Sequence, residues 1–452
     1  TEHVVQVSGL VPDTLYYYAV GTTNASLAGD APDYFFATSP RPGTAVPTRI
    51  WVLGDSGTRS AAQYAVRDAY YNFTGSRATD LWLMLGDNAY NSGTDAEFQG
   101  AVFNAYPATL RNSVLWPTLG NHDTAGSTTH VPTRPYFQMF TLPTNAEAGG
   151  VPSGTEQYYS FDFGNIHFIC LDSMTASRAT DGPMANWLVN DLAATLSDWI
   201  IAYWHHPPYT KGGHNSDTAT DSIQMRQNIL PILEAGGVDL VLSGHSHVYE
   251  RSYLLNGHYG PSSSLTSGNI VNGGNGRLPA PYQKPAGNVA HQGAVYTVAG
   301  SSGQTGGGSL NHPAMYLSLN VLGSLVVDVL TNQMTVTFLD STSVTRDTFT
   351  IAKPSSVSSA PAAPPQIAAK AVDTKRIDLS WSDGAGDGKG FEIERSSDGK
   401  TFALLASVAA DVTAFTDTIP QANRRYYYRV RAFNRGGSSA YSNIANAKTR
   451  RH

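Results

Sequence analysis

Apolar positions change their spacing along the chain, and each change marks a different kind of structure. In residues 1–40 the apolar side chains alternate or cluster in short runs: Val4, Val5 and Val7, then Leu10 and Pro12, then Tyr16, Tyr18 and Val20, and Tyr34–Phe36. This period of two predicts strands. From about 46 to 353 the pattern becomes short apolar runs separated by stretches with apolar residues three or four apart, which predicts alternating strands and helices in an α/β layered fold. The helices are predicted at Ala61–Phe73, Met184–Leu196 and Ser222–Glu234. Gly257–Gly308 is dense in Gly, Ser, Asn and Pro and reads as loops with one strand at Ala294–Ala299. Pro354–Pro365 is a Ser/Ala/Pro spacer, semi-rigid and extended, and marks a domain boundary. Residues 366–450 return to alternation, with Ile377, Leu379 and Trp381 on one strand, Phe391 and Ile393 on a second, and Tyr426, Tyr428 and Val430 on a third.

Composition narrows this picture. A chain of 452 residues suggests roughly three domains. Only 14% of the residues are charged, and 43 Gly with 25 Pro imply many turns, which argues against coiled coils and wholly helical bundles. The net charge of -6 comes without a basic block, so nucleic acid is not expected as an obligate partner. Even Leu322–Leu330 is interrupted by Asp328, so no membrane span is expected. The lone cysteine, Cys170, allows no intramolecular disulfide, and its apolar run Ile166–Leu171 suggests a buried thiol. The first residue is Thr1 and no basic-then-apolar leader follows, which predicts a processed or trimmed N-terminus. Abundant Ser, Thr, Asn and Gly with scarce Lys and Glu is similar to exported proteins, so a secreted or extracellular location is expected.

The chemistry lies in one recurring pattern of the middle region: an apolar strand, usually a glycine, then a residue able to bind a metal. Arg49–Leu53 runs into Gly54-Asp55-Ser56-Gly57, Leu81–Leu85 into Gly86-Asp87-Asn88-Ala89-Tyr90, and Val114–Leu119 into Gly120-Asn121-His122-Asp123. Trp199–Trp204 runs into His205-His206-Pro207, and Asp239–Leu242 into Gly244-His245-Ser246-His247. Ligands in open α/β sheets bind beyond the carboxyl ends of strands, so these blocks are expected on one rim. Carboxylates and neutral imidazoles together suit divalent or trivalent first-row metals, and a shared carboxylate can bridge two ions about 3.5–4 Å apart. A lone Asp after a strand is usually a cap and a lone His a core or surface residue, which is the reading for His3, His130, His167, His258, His291, His312 and His452.

These five blocks, in this order, resemble the calcineurin-like metallophosphoesterases. Tyr90, three residues after Asp87, and Gly244-His245-Ser246-His247-Val248-Tyr249-Glu250-Arg251 narrow the resemblance to the purple acid phosphatases. Leu-x-Pro-x-Thr-x-Tyr-x-Tyr at Leu10–Tyr18 resembles the last strands of a fibronectin type III domain, and residues 366–450 resemble a whole one. The fold implied is α/β, a metallophosphoesterase β-sandwich layered with helices and flanked by fibronectin type III-like β-sandwich modules. Its domains would be partial fibronectin-like strands at 1–40, the catalytic domain at 46–353, the linker at 354–365 and the fibronectin module at 366–450. The acidic loop Asp383–Gly390 could be taken for a calcium site, but it lacks alternating ligand spacing and reads as an ordinary hairpin loop.

The resemblance implies that Asp55, Asp87, Tyr90 and His247 hold a first metal, iron(III), while Asp87, Asn121, His205 and His245 hold a second, zinc, manganese or iron(II). Asp87 would bridge. His205 is preferred to His206 as the ligand because the family writes His-x-Pro, and successive side chains at a strand end point to opposite sides, which would turn His206 toward substrate. His122 would face the phosphate, oriented by Asp123, and His214 falls where the family carries a substrate-side histidine. Its neighbour Asn215 departs from the plant pattern, so protonation of the leaving group is open between His214 and His122. Glu250 and Arg251 are expected to pair structurally, with a substrate role as the alternative, and Val248 and Tyr249 to pack. The implied activity is hydrolysis of small phosphate monoesters by metal-bound hydroxide, with an acidic optimum. A phosphodiesterase or nucleotidase on the same site is the nearest alternative, and a noncatalytic adhesion or scaffold protein the alternative from another class. The C-terminal module would bind a polymer or cell surface.

Overall fold

The computed structural model describes residues 4–29, 31–195, 197–354, 360–384, 388, 390–410, 412–418, 420–434 and 437–451. The chain divides into two compact units, Thr1–Ser355 and Ser356–His452. The first unit is built on two seven-stranded sheets. One sheet runs Met315–Leu319, Tyr249–Ser252, Val295–Ala299, Leu240–Ser243, Trp199–Trp204, Ile166–Cys170, Tyr159–Phe163. The other runs Tyr282–Gln283, Thr345–Ala352, Gln333–Asp340, Gly323–Leu330, Thr48–Leu53, Leu81–Met84, Val114–Pro117. The strands that precede the candidate ligands pair in parallel within each sheet, so their carboxyl ends share a direction.

Burial explains the continuous apolar runs. All six residues of Trp199–Trp204 are buried. Trp199, Ile201 and Tyr203 enter the core between the sheets, while Ile200, Ala202 and Trp204 pack with Met184, Leu188 and Leu233 from the covering helices. A strand covered on both faces loses the polar half of its alternation. On the other sheet Trp51 stacks on Tyr70 of the helix Ala61–Thr74 at 4.2 Å between ring centroids. Cys170 is fully buried, and burial pushes its thiol up to about 12, which makes it inert.

The helices depart from expectation at one place. The predicted helix Ser222–Glu234 is three consecutive pieces, Thr220–Gln224, a wider π turn at Met225–Ile229, and Leu230–Ala235. Pro231 supplies the reason: it has no N–H to donate into a continuing α-helix, and its ring is tolerated only in a first turn. The helix predicted at Met184–Leu196 runs Pro183–Ala194, and Leu196 lies outside the described residues. The N-terminal strands form two-stranded pairs, Leu15–Tyr17 with Phe35–Ala37 and Val20–Thr22 with Ala25–Ala28. Val4, Val5 and Val7, expected on a strand, are exposed and carry none.

In the second unit a three-stranded sheet of Ile367–Ala371, Ile377–Trp381 and Ala414–Asp417 packs with a five-stranded sheet. The latter is built on Ala403–Ala409, Gly390–Ser396 and Arg425–Asn434. Ile377, Leu379, Trp381, Phe391, Ile393, Tyr426, Tyr428 and Val430 fill its core, as their alternation predicts. The unit is a fibronectin type III-like sandwich. Of the loop Asp383–Gly390, residues 385–387 and 389 lie outside the described residues.

One buried ion cluster ties the outer strands of the first unit to a helix. His167 donates from Nδ1 to Asp162 and from Nε2 to Asp191, each at 2.8 Å. Asp191, on the helix Pro183–Ala194, also accepts from the Val151 N–H at 2.8 Å and the Ser160 hydroxyl at 2.7 Å. Burial alone would lower the His167 pKa, but the two carboxylate bonds outweigh it and raise it to about 10. The folded value exceeds the unfolded one of about 6.5, so the imidazolium's stabilisation is fully present below that pH and is lost as pH rises through about 10. His167→Ala is expected to cost about 3–5 kcal/mol at neutral pH, because it leaves the buried Asp191 and the partly buried Asp162 without their cation. Denaturant unfolding should show the gap between wild type and variant narrowing from neutral pH toward about pH 10, and a constant gap would disprove the coupling.

Candidate metal centre

The five strand ends meet at a seam. Thr48–Leu53, Leu81–Met84 and Val114–Pro117 belong to one sheet, Trp199–Trp204 and Leu240–Ser243 to the other, so the rim expected of a single open sheet is shared between two. Glycine permits the approach: a Cβ on Gly54 would lie 2.4 Å from the Ala299 carbonyl oxygen of the facing sheet. A Cβ on Gly120 would lie 2.1 Å from the Asp87 backbone nitrogen and 2.3 Å from its Oδ1. Asp55, Asp87 and His245 all have left-handed backbone, with φ of 55, 51 and 66 degrees. Non-glycine residues held there are strained, and such strain gathers at functional sites.

The side chains form two adjoining sets. In the first, the Tyr90 hydroxyl lies 3.3 Å from Asp55 Oδ1, 3.1 Å from Asp87 Oδ2 and 3.2 Å from His247 Nε2. His247 Nε2 is 3.5 Å from Asp55 Oδ1. In the second, Asn121 Oδ1 lies 3.0 Å from both His205 Nε2 and His245 Nδ1, and those two nitrogens are 3.1 Å apart. His205 Nε2 is 3.6 Å from Asp87 Oδ1. Asp87 therefore stands between the sets, with one oxygen toward each.

The donor chemistry fits metal ions. His205 Nδ1 donates to the Leu85 carbonyl at 2.9 Å, which leaves Nε2 as a lone pair aimed at the other acceptors. Asp55 and Asp87 are buried, and among the described residues their ionic partners are histidines alone. Buried carboxylates without a cation are costly. Burial, and then the Asp55 charge, raises the Asp87 carboxyl above its ordinary range. Burial and the neighbouring histidines hold His245 well below its usual value. Burial would also lower His247, but its contact with Asp55 and the charges of Asp55 and Asp87 outweigh that and raise it. Ligand atoms of Asp55, Asp87 and His205, and likewise of His205, His206 and His245, lie within 4.8 Å of one another.

The remaining sequence candidates surround this centre. His122 is partly exposed, its Nε2 4.0 Å from Asp87 Oδ2 and its ring 4.4 Å from that of Tyr90. The exposed His214 stacks on His245 at 3.8 Å between ring centroids. His206 is buried, with its ring 4.5 Å from that of His245 and 5.0 Å from that of His205. Val248 and Tyr249 are fully buried, as packing residues should be.

Two expectations need correcting. Asp123 does not orient His122. Its carboxylate accepts the backbone N–H groups of Asn88, Ala89 and Gly120 at 2.9, 3.1 and 2.9 Å, and so ties the Asp87 loop to the Asn121 loop. His122 is held instead through Nδ1 by the Asn91 carbonyl at 2.8 Å. Glu250 and Arg251 do not pair with each other, because adjacent strand residues face opposite ways. Arg251 grips Asp347 at 2.6 and 3.1 Å, while Glu250 accepts from Thr210 and from Ser318 at 3.1 Å. Sequence reasoning also missed Gln304, whose Nε2 lies 3.4 Å from His247 Nε2; a polar residue in a Gly/Ser stretch carries no signal of such a role.

Residues 48–249 match the family model of the calcineurin-like phosphoesterases. Purple acid phosphatase 15 of Arabidopsis thaliana is 29% identical over 278 residues, covering 55% of this chain and 49% of that protein. Purple acid phosphatase 13 of the same plant is 27% identical over 343 residues, covering 66% and 59%. The chain thus spans about half to three-fifths of the length of these relatives. A solved Fn3-like protein from Clostridium thermocellum is 28% identical over 20% of this chain and 92% of its own, with a TM-score of 0.18. The chain carries a calcineurin-like phosphoesterase domain similar to that of the purple acid phosphatases, with a fibronectin type III-like sandwich on its C-terminal side.

Proposed function

We propose that the domain at 46–353 is a dinuclear metal-dependent acid phosphatase of the purple acid phosphatase type, acting on small phosphate monoesters. The observation that supports this best is Asp87, whose Oδ2 lies 3.1 Å from the Tyr90 hydroxyl and whose Oδ1 lies 3.6 Å from His205 Nε2. One carboxylate with an oxygen in each of two donor sets is what a bridging ligand requires. Asp55, Asp87, Tyr90 and His247 would hold iron(III), and Asp87, Asn121, His205 and His245 would hold zinc, manganese or iron(II). When bound, such a pair polarises phosphoryl oxygens and lowers the pKa of water into the working range.

The chain's own groups supply the rest. His122, anchored by the Asn91 carbonyl, presents Nε2 on the solvent side of Asp87, within reach of an ester oxygen. His214, exposed at the mouth and stacked on His245, can hand a proton to the departing alkoxide. Strands 1–40 and the linker 354–365 would flank this domain, and the module at 366–450 would tether it to a polymer or surface outside the cell.

Comparing hydrolysis of a monoester and a diester of the same alcohol tests the substrate class; faster diester cleavage would replace it with a phosphodiesterase. Asp87→Ala should abolish activity and release both metals, since the carboxylate between two cations is gone. Retention of two metals per chain by this variant would refute the bridging assignment. Burial, then the charges of Asp55 and Asp87, raises the Tyr90 phenol well above its usual range, so it ionises only against a strong cation. The iron(III) protein should therefore show a visible phenolate-to-metal band, and Tyr90→Phe should bleach it while leaving the fold intact. A colourless wild type containing stoichiometric iron(III) would exclude Tyr90 as a ligand.

A further inference from the structure

A sixth strand end reaches the same rim. Ile166–Cys170 lies beside Trp199–Trp204 in the sheet and runs into Leu171-Asp172-Ser173. Asp172 fixes this turn: its Oδ1 accepts the Met174 and Thr175 N–H groups at 2.6 and 2.8 Å. Ser173 is fully buried, and its Oγ lies 2.9 Å from His206 Nδ1 while accepting the His206 backbone N–H at 3.1 Å. A serine hydroxyl has one hydrogen, and Nδ1 is its acceptor here. The opposite arrangement, Nδ1–H donating to Oγ, would leave that hydrogen without a partner among the described residues.

The ring's other nitrogen is then the one that carries hydrogen. His206 Nε2 faces Asp221 Oδ2 at 3.9 Å, and an acidic neighbour favours N–H on that side. One guanidinium braces both supports. Arg178 pairs with Asp221 at 2.5 Å and donates to the Ser173 carbonyl at 2.7 Å. The ring itself is wedged between those of His205 and His245, at 5.0 and 4.5 Å, and only 4% of the residue is exposed.

We propose that Ser173 is a positioning residue that fixes His206 as its Nε2–H tautomer, so that the site presents this N–H to a phosphate oxygen. This rests on the phosphoesterase reading for its ligand and deepens it by assigning an oxyanion contact that is not a metal. His206 so held is a donor to the substrate and leaves metal binding to its neighbours.

The test compares wild type, Ser173→Ala and Ser173→Thr, all loaded with zinc, using inorganic phosphate and p-nitrophenyl phosphate. Histidine side-chain ¹⁵N spectra should show His206 as the Nε2–H form in wild type and the threonine variant, and a mixture in the alanine variant. Phosphate inhibition and KM should weaken about tenfold in Ser173→Ala, the worth of one hydrogen bond, with kcat changed far less and two metals retained. Should Ser173→Ala fail to fold, Ser173→Cys keeps the side-chain shape at a slightly larger volume, weakens the donor and is expected to shift the same readouts. An unchanged tautomer or unchanged phosphate inhibition in a folded variant overturns the proposal. Loss of a metal in His206→Ala also overturns it by making His206 a ligand. If wild type hydrolyses no phosphate ester, the functional reading fails, while the spectra and the phosphate titration still decide the role of Ser173.

Discussion

Two carboxylates, Asp55 and Asp87, lie buried within contact of the same tyrosine hydroxyl. Their charges repel and water is excluded, so they must be stabilised by something else. Backbone N–H groups meet part of the demand: His245 donates to Asp55 and His122 to Asp87, each at 2.8 Å. Imidazoles meet another part, His247 beside Asp55 and His205 beside Asp87, at 3.5 and 3.6 Å. What is left over is a demand for cations. The left-handed backbone, the glycines without room for a Cβ and the Asp123 bonds between loops all serve to hold that demand in place.

Much of this is legible in the sequence because each candidate ligand follows its own strand directly. A short apolar run, a glycine and a polar residue able to bind metal are local features, and parallel pairing then carries them to one end of the fold without any long-range guess. The fibronectin-like core at 366–450 is legible for a similar reason, since one face of each strand is buried and the period of two survives in the composition. The division of the centre between two sheets is not legible. A run such as Trp199–Trp204 is apolar on both faces, so its sequence cannot say which sheet it joins.

The misreadings share another cause. Asp123 follows His122 in sequence, yet a short 3-10 turn at His122–Thr124 sends the two side chains to different parts of the loop after Leu81–Met84, Asp123 to the Asn88 and Ala89 N–H groups and His122 to the Asn91 carbonyl. Arg251 finds its carboxylate ninety-six positions away at Asp347, a pairing set by sheet order. Ser173 reads as an ordinary turn residue, because its value depends on which strand lies beside its own. Sequence proximity predicts chemistry well when a strand end carries it, and poorly when a side chain's direction or a neighbouring strand decides.

The seam between the sheets makes the centre a kind of caliper. Asp55, Asp87 and Asn121 ride on one jaw, His205, His245 and His247 on the other, and the opening between them is set by the thickness of the core behind. Tyr249 of one sheet and Phe338 of the other stack nearly parallel in that core, 4.1 Å apart at 5 degrees. A larger or smaller side chain there would not touch any ligand. It would still widen or narrow the gap between the jaws, so the spacing of the donor atoms is set by apolar rings that are not donors themselves.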